Sequence, residues 1–277
     1  MRLKRPLPPT RTFQQVKHHY EVEKAIREKL WCASLEQRKA IYPTMYDELF
    51  ENVPDHPRLQ RRKSEASTSA ANRFKFNVIR SFVDKSTVFA EFAPGDCRFS
   101  EYVCEHAAFV YGIDISDQRD KGTPLPNNFE LLVYDGYHLA LEDGSIDVVF
   151  SDQLIEHLHP EDAELHFKLV RRLLRAGGVY IFRTPHNYVG PSDVSGYFSD
   201  KAEGFHLKEW TYGEIASLLK NLGYSSCSGH CAVKGMPIRI PLFCITPVER
   251  ILGKFPKRLR RLVSRLILRS VTTVAVK

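Results

Sequence analysis

No stretch of this chain approaches the roughly 18 consecutive apolar residues that a membrane-spanning helix requires. Its opening, MRLKRPLPPT, lacks the apolar segment of a secretory leader. These two absences lead to the expectation of a soluble, cytoplasmic protein. Paired cysteines are also missing: Cys32, Cys97, Cys104, Cys227, Cys231 and Cys244 are scattered without a CxxC, which predicts reduced thiols rather than a disulfide framework. Cys227, His230 and Cys231 lie close together, but without a second ligand pair they read as strand residues rather than zinc ligands.

Glycines are missing where a dinucleotide site needs them. Strand-like VFAEF runs into a tight turn, APGDCRFS, in which the phosphate-binding fingerprint would place glycines at 93, 95 and 98; the chain has Ala93, Gly95 and Arg98. A pyrophosphate needs close backbone approach where Arg98 stands, so nicotinamide dinucleotide chemistry is excluded.

What is present is enough apolar material for one large domain with appendages, since 43% of the 277 residues are hydrophobic. The net charge of +7 is unevenly spread: residues 1–63 and 254–277 are basic and the stretch between them is acidic, so attraction to anions belongs to the two ends. Residues 13–51 read as two helices with Ser34 as an N-cap, and NVPDHPRLQRRKSEASTSAAN reads as a linker into a further helix near 70–83. From residue 87 short apolar strands (TVFAEF, FVYGIDI, FELLVYD, IDVVFSD, VYIFRTP) alternate with helical segments (EYVCEHA, LIEHL, EDAELHFKLVRRLLRAGG). That alternation predicts a parallel sheet covered on both faces. SSCSGHCAV and TTVAVK read as two final strands.

In such a sheet the ligand sits beyond the carboxyl ends of the strands. Acids stand at three successive strand ends: Glu91, Asp114 and Asp135. A cofactor without phosphates asks less of the turn at 93–97, and S-adenosylmethionine needs backbone close to its methionine end, an acid for its ribose hydroxyls and a partner for its adenine. EFAPGDCRFS, GIDIS, YDGYHLALEDGSIDVVFSDQLIEHL and LLRAGGVYIFRTPH stand in the order of the motifs of class I S-adenosylmethionine-dependent methyltransferases, and the stretch 87–224 resembles that family in the broad group that includes the ubiquinone-biosynthesis enzymes. The resemblance implies a doubly wound, Rossmann-like α/β fold with a mostly parallel seven-stranded sheet whose last strand is antiparallel. The expected organisation is a helical cap and linker over 1–69 and a methyltransferase domain over 70–277 with a basic helical insertion at 235–270. By the same resemblance Glu91 organises the first motif and Ala93, Pro94 and Gly95 pass beneath the methionine. Asp114, with Ile115 after it, serves the ribose, Asp135 and Gly136 flank the adenine, and Ser151, Asp152 and Gln153 face the transferred methyl. Ala93 and Cys97 depart from the family's usual glycines; an alanine is harmless there where the backbone angle is negative. Asp147 reads as an ordinary carboxylate away from the site.

Methyl transfer is an in-line displacement, so a hydroxyl acceptor must be positioned and lose its proton. DQLIEHLHPED is the richest source of bases: Asp152 and Glu156, four apart, are expected on one helical face with His157 beside them. These three are the catalytic candidates. They resemble the set with which ubiquinone-type enzymes hold a divalent cation, which raises magnesium as a second cofactor; His157 as a metal-free base is the alternative. His186 and His206, in loops, are further candidates, and His18, His19, Tyr20 and Tyr46 could face substrate from the leading helices. The expected function is methylation of an oxygen on a small-molecule or glycan-type metabolite, against an RNA methyltransferase or a non-catalytic scaffold. The stretch SDQL and the lack of interleaved aromatics argue against nucleic acid. Within the insertion, 256–270 forms a basic amphipathic helix with Leu259, Leu262, Val263, Leu266 and Ile267 on one face. It packs on the domain with a solvated basic face, lies on a membrane surface, or docks a phosphate-bearing acceptor or nucleic acid.

Overall fold

The computed structural model describes residues 1–62, 64–119, 122, 124–233 and 236–277, without the side chains of 231–233, 236 and 237. Two helices lead, α1 (Phe13–Cys32) and α2 (Leu35–Asn52). Each starts at a capping box, Thr12 with Gln15 and Ser34 with Gln37, in which side chain and backbone satisfy each other's free donors. A short α3 (Pro57–Arg62) and α4 (Glu65–Ile79) follow, so the boundary expected at residue 69/70 falls inside a helix.

The sheet then builds in the predicted alternation: β1 (Val88–Phe92), α5 (Arg98–Cys104), β2 (Phe109–Asp114), β3 (Phe129–Val133), β4 (Ile146–Asp152), α6 (Pro160–Leu173) and β5 (Leu174–Pro185). The chain closes with α7 (Tyr212–Asn221), β6 (Ser226–Val233), β7 (Met236–Pro241), α8 (Leu242–Gly253), α9 (Lys257–Ile267) and β8 (Ser270–Val276). The spatial order is β3-β2-β1-β4-β5-β8-β6-β7, with β1 to β5 mutually parallel and β8 antiparallel to both β5 and β6. The fold is the doubly wound α/β one expected, but the described sheet has eight strands rather than seven. The eighth is β7, which folds back on β6 as a hairpin at the edge. It arises inside the stretch read as a helical insertion; Gly235, the expected start of that stretch, lies outside the described residues.

Packing follows sequence period. In α6, Ala163, Phe167, Val170 and Leu173 recur at helical spacing and are buried with Phe92, Tyr180 and Phe182 of the sheet. On the other sheet face Phe89, Val110, Val148 and Phe150 meet Phe99 and Val103 of α5. The sheet order reverses between β1 and β4, and the crevice at their carboxyl ends is where such sheets bind ligands.

One local expectation fails. LIEHL is not helical: after β4 the chain turns, with His157 N–H donating to Leu154 O at 2.9 Å. Asp152 and Glu156 therefore do not share a helical face. Cys227 and His230 are an odd number of residues apart on β6, so they project to opposite sides of the sheet and cannot share a metal; the Cys231 side chain is outside the described set.

Candidate active site

The turn after β1 is held from three sides. Glu91, buried in β1, accepts from Ser100 Oγ of α5 at 2.6 Å and faces Lys75 Nζ of α4 at 3.4 Å. Burial raises its pKa, against the pull of Lys75 and Ser100. Asp114 at the end of β2 accepts from Gly95 N–H at 3.0 Å and Ile115 N–H at 2.7 Å, so one carboxylate ties the two strand ends together. The turn itself is strained: Ala93 has φ +56° and Cys97 φ +60°, and Gln153 beyond β4 has φ +58°. These are the only described non-glycine residues with positive φ, and all three stand at the crevice, as stored strain at functional sites tends to do. The condition under which Ala93 would be harmless is thus not met. At Gly95, φ is +61° and a Cβ would lie 2.9 Å from Arg62 Nη2, so a side chain would be strained and would push the arginine tip aside.

Two cavities adjoin this turn. A narrow apolar one of about 50 Å³ is lined by Ala93, Ile113, Asp114, Ile115, Tyr134, Gly136 and Tyr137 from the strand ends and by Tyr42, Met45 and Tyr46 of α2 above them. A wider cleft of about 670 Å³, within the roughly 300–1,000 Å³ usual for small-molecule sites, is lined by Pro94, Asp152, Gln153, His206 and a ring of cations, among them Arg58, Arg61, Arg62, Lys75, Arg98 and Arg183. Tyr46, Ala93 and His157 line both.

The predicted residues divide. Ala93, Pro94, Asp114, Ile115, Gly136, Asp152 and His157 come together around these cavities, with Gly95 in the turn between them. The Asp135 carboxylate instead accepts from Tyr137 and His138 N–H at 2.8 and 2.6 Å and pairs with His138 Nδ1 at 2.8 Å; burial works against its charge, but those partners bring its pKa down to about 2. It does not line either cavity. Ser151 is buried beneath the crevice, bonded to Tyr180, whose hydroxyl also reaches His166. His186 lies in the core, taking Tyr188 N–H on Nδ1 and donating from Nε2 to Glu249 at 2.7 Å. Asp147 sits at the opposite end of β4, accepting from Val88 N–H. In the leading helices Tyr46 and His19 reach the cavities, whereas Tyr20 bonds to Glu203 and His18 to Asn52 O.

Asp152 is not a free base. Arg183 grips it with two bonds of 2.7 and 2.8 Å and, against the effect of burial, holds its pKa down. Its place beside Glu156 and His157 is taken by His206, whose ligand atom lies within 4.8 Å of theirs. Glu156 is fully buried: Oε2 accepts from Thr184 Oγ1 at 2.9 Å, Oε1 has no partner among the described residues, and burial raises its pKa to about 7. His157 donates from Nδ1 to Phe205 O at 3.0 Å, which leaves Nε2 as the lone-pair nitrogen. Burial and the neighbouring His206 charge lower its pKa to about 3. Burial works against a charge on His206, yet Glu209 on Nδ1 at 2.9 Å, with Glu156 and Asp193 nearby, brings its pKa up to about 9. Magnesium does not fit this set. It takes oxygen ligands in octahedral geometry, whereas two imidazoles and one carboxylate converge here and Asp152 is engaged by Arg183.

Sequence reasoning missed the cations. Arg58, Arg61 and Arg62 belonged to a stretch read as linker, and the run RLQRRK was the available signal. It also missed the clamp that seats α2. Arg38, fully buried, binds both oxygens of Asp162 at 2.6 and 2.9 Å, and Tyr42 OH donates to the same carboxylate at 2.7 Å while accepting from His159 N–H.

Residues 90–182, from β1 to β5, match the family model described as a methyltransferase domain. No protein with a curated description matches the chain in sequence. Among solved structures, the chain resembles a Haemonchus contortus phosphoethanolamine N-methyltransferase in complex with phosphoethanolamine and S-adenosylhomocysteine (16% identity, 88% of this chain and 50% of that one, TM-score 0.57). It also resembles a Burkholderia thailandensis 1,6-didemethyltoxoflavin N1-methyltransferase with S-adenosylhomocysteine (15%, 88% and 91%, 0.56). A third is a Haloferax volcanii putative methyltransferase in complex with its Trm112 activator (15%, 76% and 94%, 0.53). At such identities the likeness is one of fold, and the chain spans half of the Haemonchus enzyme. The matched domain runs through the strands that build the crevice, so the chain carries a methyltransferase domain over residues 90–182.

Proposed function

We propose that the chain transfers the methyl group of S-adenosylmethionine to a hydroxyl of an anionic small molecule or glycan-type metabolite, with His157 taking the hydroxyl proton. The observation that carries this reading is that His157 lines both cavities. The narrow cavity suits the adenosine: Asp114 serves the ribose, Ile115 and Gly136 flank the base, and Ala93 to Gly95 lead towards the methionine. Arg62, close over Gly95, is placed for the methionine carboxylate. The methyl then points into the wide cleft beside His157.

Burial keeps His157 neutral throughout the physiological range with its Nε2 lone pair free, but the same lowered pKa makes it a weak base alone, so the transfer relies on the Glu156 carboxylate beside it to offset the charge it gains. Glu156, its pKa raised to about 7, and His206, its pKa raised to about 9, stand beside it where charge would develop. The acceptor is anionic on this reading because the cleft holds cations that its own acids leave under-paired. Lys75 stands 3.4 and 3.9 Å from its acids, Glu91 and Asp152, longer than a direct charge-assisted bond. Arg58 and Arg61 line the same cleft in the basic run before α4. A phosphate-bearing ligand in one solved relative is in keeping with that choice.

Titration calorimetry with S-adenosylmethionine is the first test; no binding would end the reading. The second uses carbon-13 methyl donor with panels of phosphorylated polyols, sugar phosphates and amines. O-methyl product from the anionic hydroxyl compounds supports the proposal, and product from amines alone overturns the oxygen assignment.

A further inference from the structure

We infer that α8 and α9 form a membrane-docking face that lays its leucines on an anionic lipid surface. The inference does not rest on methyl transfer. Among the described residues no helix is long and apolar enough to cross a membrane, so the contact is interfacial.

The basis is an inverted helix. In α9, Ser264 is buried and Arg260 and Arg261 are half-buried, all facing the protein, while Leu259, Leu262, Leu266 and Ile267 are 46%, 62%, 81% and 50% exposed. Leu259, Leu262 and Leu266, at spacings of three and four, form one seam on the side opposite Ser264. The expected arrangement, apolar face inward and basic face in water, is thus reversed. The reversal is anchored by cations that face the domain. Arg260 stacks over the Tyr188 ring at 4.7 Å, Lys257 Nζ donates to Asp200 O at 2.6 Å, and Arg261 reaches the Asp200 carboxylate at 3.5 Å.

The preceding helix behaves alike. In α8, Leu242, Ile245 and Leu252 are buried, while Phe243, Val248 and Ile251 are 76%, 42% and 57% exposed, and Phe255 follows at 39%. An apolar surface spread over two consecutive helices marks a contact site rather than ordinary surface.

Charge decides the occupant. Residues 242–269 carry eight Lys and Arg and one acid, Glu249, which is buried and bonded to His186 and to Tyr212 and Gly213 N–H. Behind α9, Arg5, Arg265 and Arg269 line a recess of about 390 Å³ with Val189, Pro191 and Ser192, and no carboxylate lines it among the described residues. Leucines flanked by cations, with an anion-attracting recess beside them, fit acyl chains and anionic headgroups. A second copy of the chain would bring two cationic faces together, and a nucleic acid would leave the leucine seam unmatched.

The test is co-sedimentation of the full chain with vesicles of phosphatidylcholine alone and of phosphatidylcholine with phosphatidylglycerol. Binding at least tenfold stronger to the anionic vesicles, weakened by salt, is expected. The double variant Leu262→Glu/Leu266→Glu, whose substituted side chains point into solvent, should keep its melting temperature and its S-adenosylmethionine affinity while losing at least tenfold in vesicle binding. Equal binding by that variant, or none by the parent chain, overturns the inference. So does light scattering that shows a parent dimer converted to monomer by the same substitutions, since the seam would then be a self-association face.

Discussion

Two buried polar clusters flank the start of α6, and they are finished differently. In the clamp of Arg38, Tyr42 and Asp162, both carboxylate oxygens are engaged, and the tyrosine hydroxyl both donates and accepts. In the cluster of Glu156, His157 and His206 each residue is positioned by one bond, to Thr184, Phe205 O and Glu209, while Glu156 Oε1 has no partner among the described residues. A closed cluster holds α2 over the narrow cavity. The open one leaves a buried carboxylate oxygen unpaired among the described residues.

The comparison breaks most readily at His157. His157→Gln keeps a polar side chain of similar reach but removes the proposed base, so turnover should fall by roughly 10²–10⁴-fold, with S-adenosylmethionine affinity unchanged by calorimetry. A fall in affinity with turnover per bound cofactor preserved would make His157 a cofactor contact instead. The clamp should answer in stability. Arg38→Met leaves Asp162 buried without its cation and should cost about 3–5 kcal/mol in denaturant unfolding. Adding Asp162→Leu should recover much of that loss. Recovery is the sharper half of the test, because it separates an orphaned charge from lost packing.

The open cluster also predicts a pH response. Glu156 and His206 both have folded pKa values above their ordinary ones, at about 7 and about 9, so the folded state binds more protons than the unfolded chain over those ranges. Their contribution to stability is complete below the unfolded values and is lost as pH rises through the folded ones. His157 and His166, lowered to about 3, act in the opposite direction but only below their ordinary value of 6.5. The melting temperature should therefore fall between about pH 7 and about pH 9, and His206→Gln should flatten that fall. An unchanged slope in the variant would remove His206 as its source.

The fold was largely legible because it rests on periodicity: five apolar strands between helical segments fix a parallel sheet, and the acids at its strand ends, Glu91 and Asp114, mark the crevice edge. The eighth strand was not, since β7 pairs only with β6, and MPIRIP contains two prolines that argue for an edge at most. LIEHL misled because its apolar spacing suits a helix, while its residues are buried by different neighbours in a turn. The partners of Asp152 and of Asp162 were beyond reach for another reason. Arg183 is 31 residues from the first and Arg38 124 residues from the second, and no local pattern encodes such pairs.

Smaller effects test the cofactor side. Asp114 bridges the ends of β1 and β2 and lines the narrow cavity. Asp114→Ala should weaken S-adenosylmethionine binding by about 1–3 kcal/mol through the loss of a charged acceptor. Asp135→Ala, whose carboxylate serves its own turn, should change binding less; equal losses would restore Asp135 as a cofactor residue.

The smallest effect concerns the turn with the missing glycines. An L-residue in the left-handed region costs about 1–2 kcal/mol, and Ala93 sits there at φ +56°. Ala93→Gly relieves that strain but adds freedom to the unfolded chain, which takes back about 0.4–1 kcal/mol. A net gain of about 0.5–1 kcal/mol in stability is expected, read by denaturant unfolding. Cys97, at φ +60°, should not show it, because its side chain is fully buried against the core beside α5, and Cys97→Gly removes that packing along with the strain. A gain at 93 and a loss at 97 would mean that the two departures from glycine are of different kinds: one a strained residue at the mouth of both cavities, the other a piece of core. A loss at both would mean that the Ala93 methyl, too, is held by its packing, and that the turn is shaped by contacts rather than by strain.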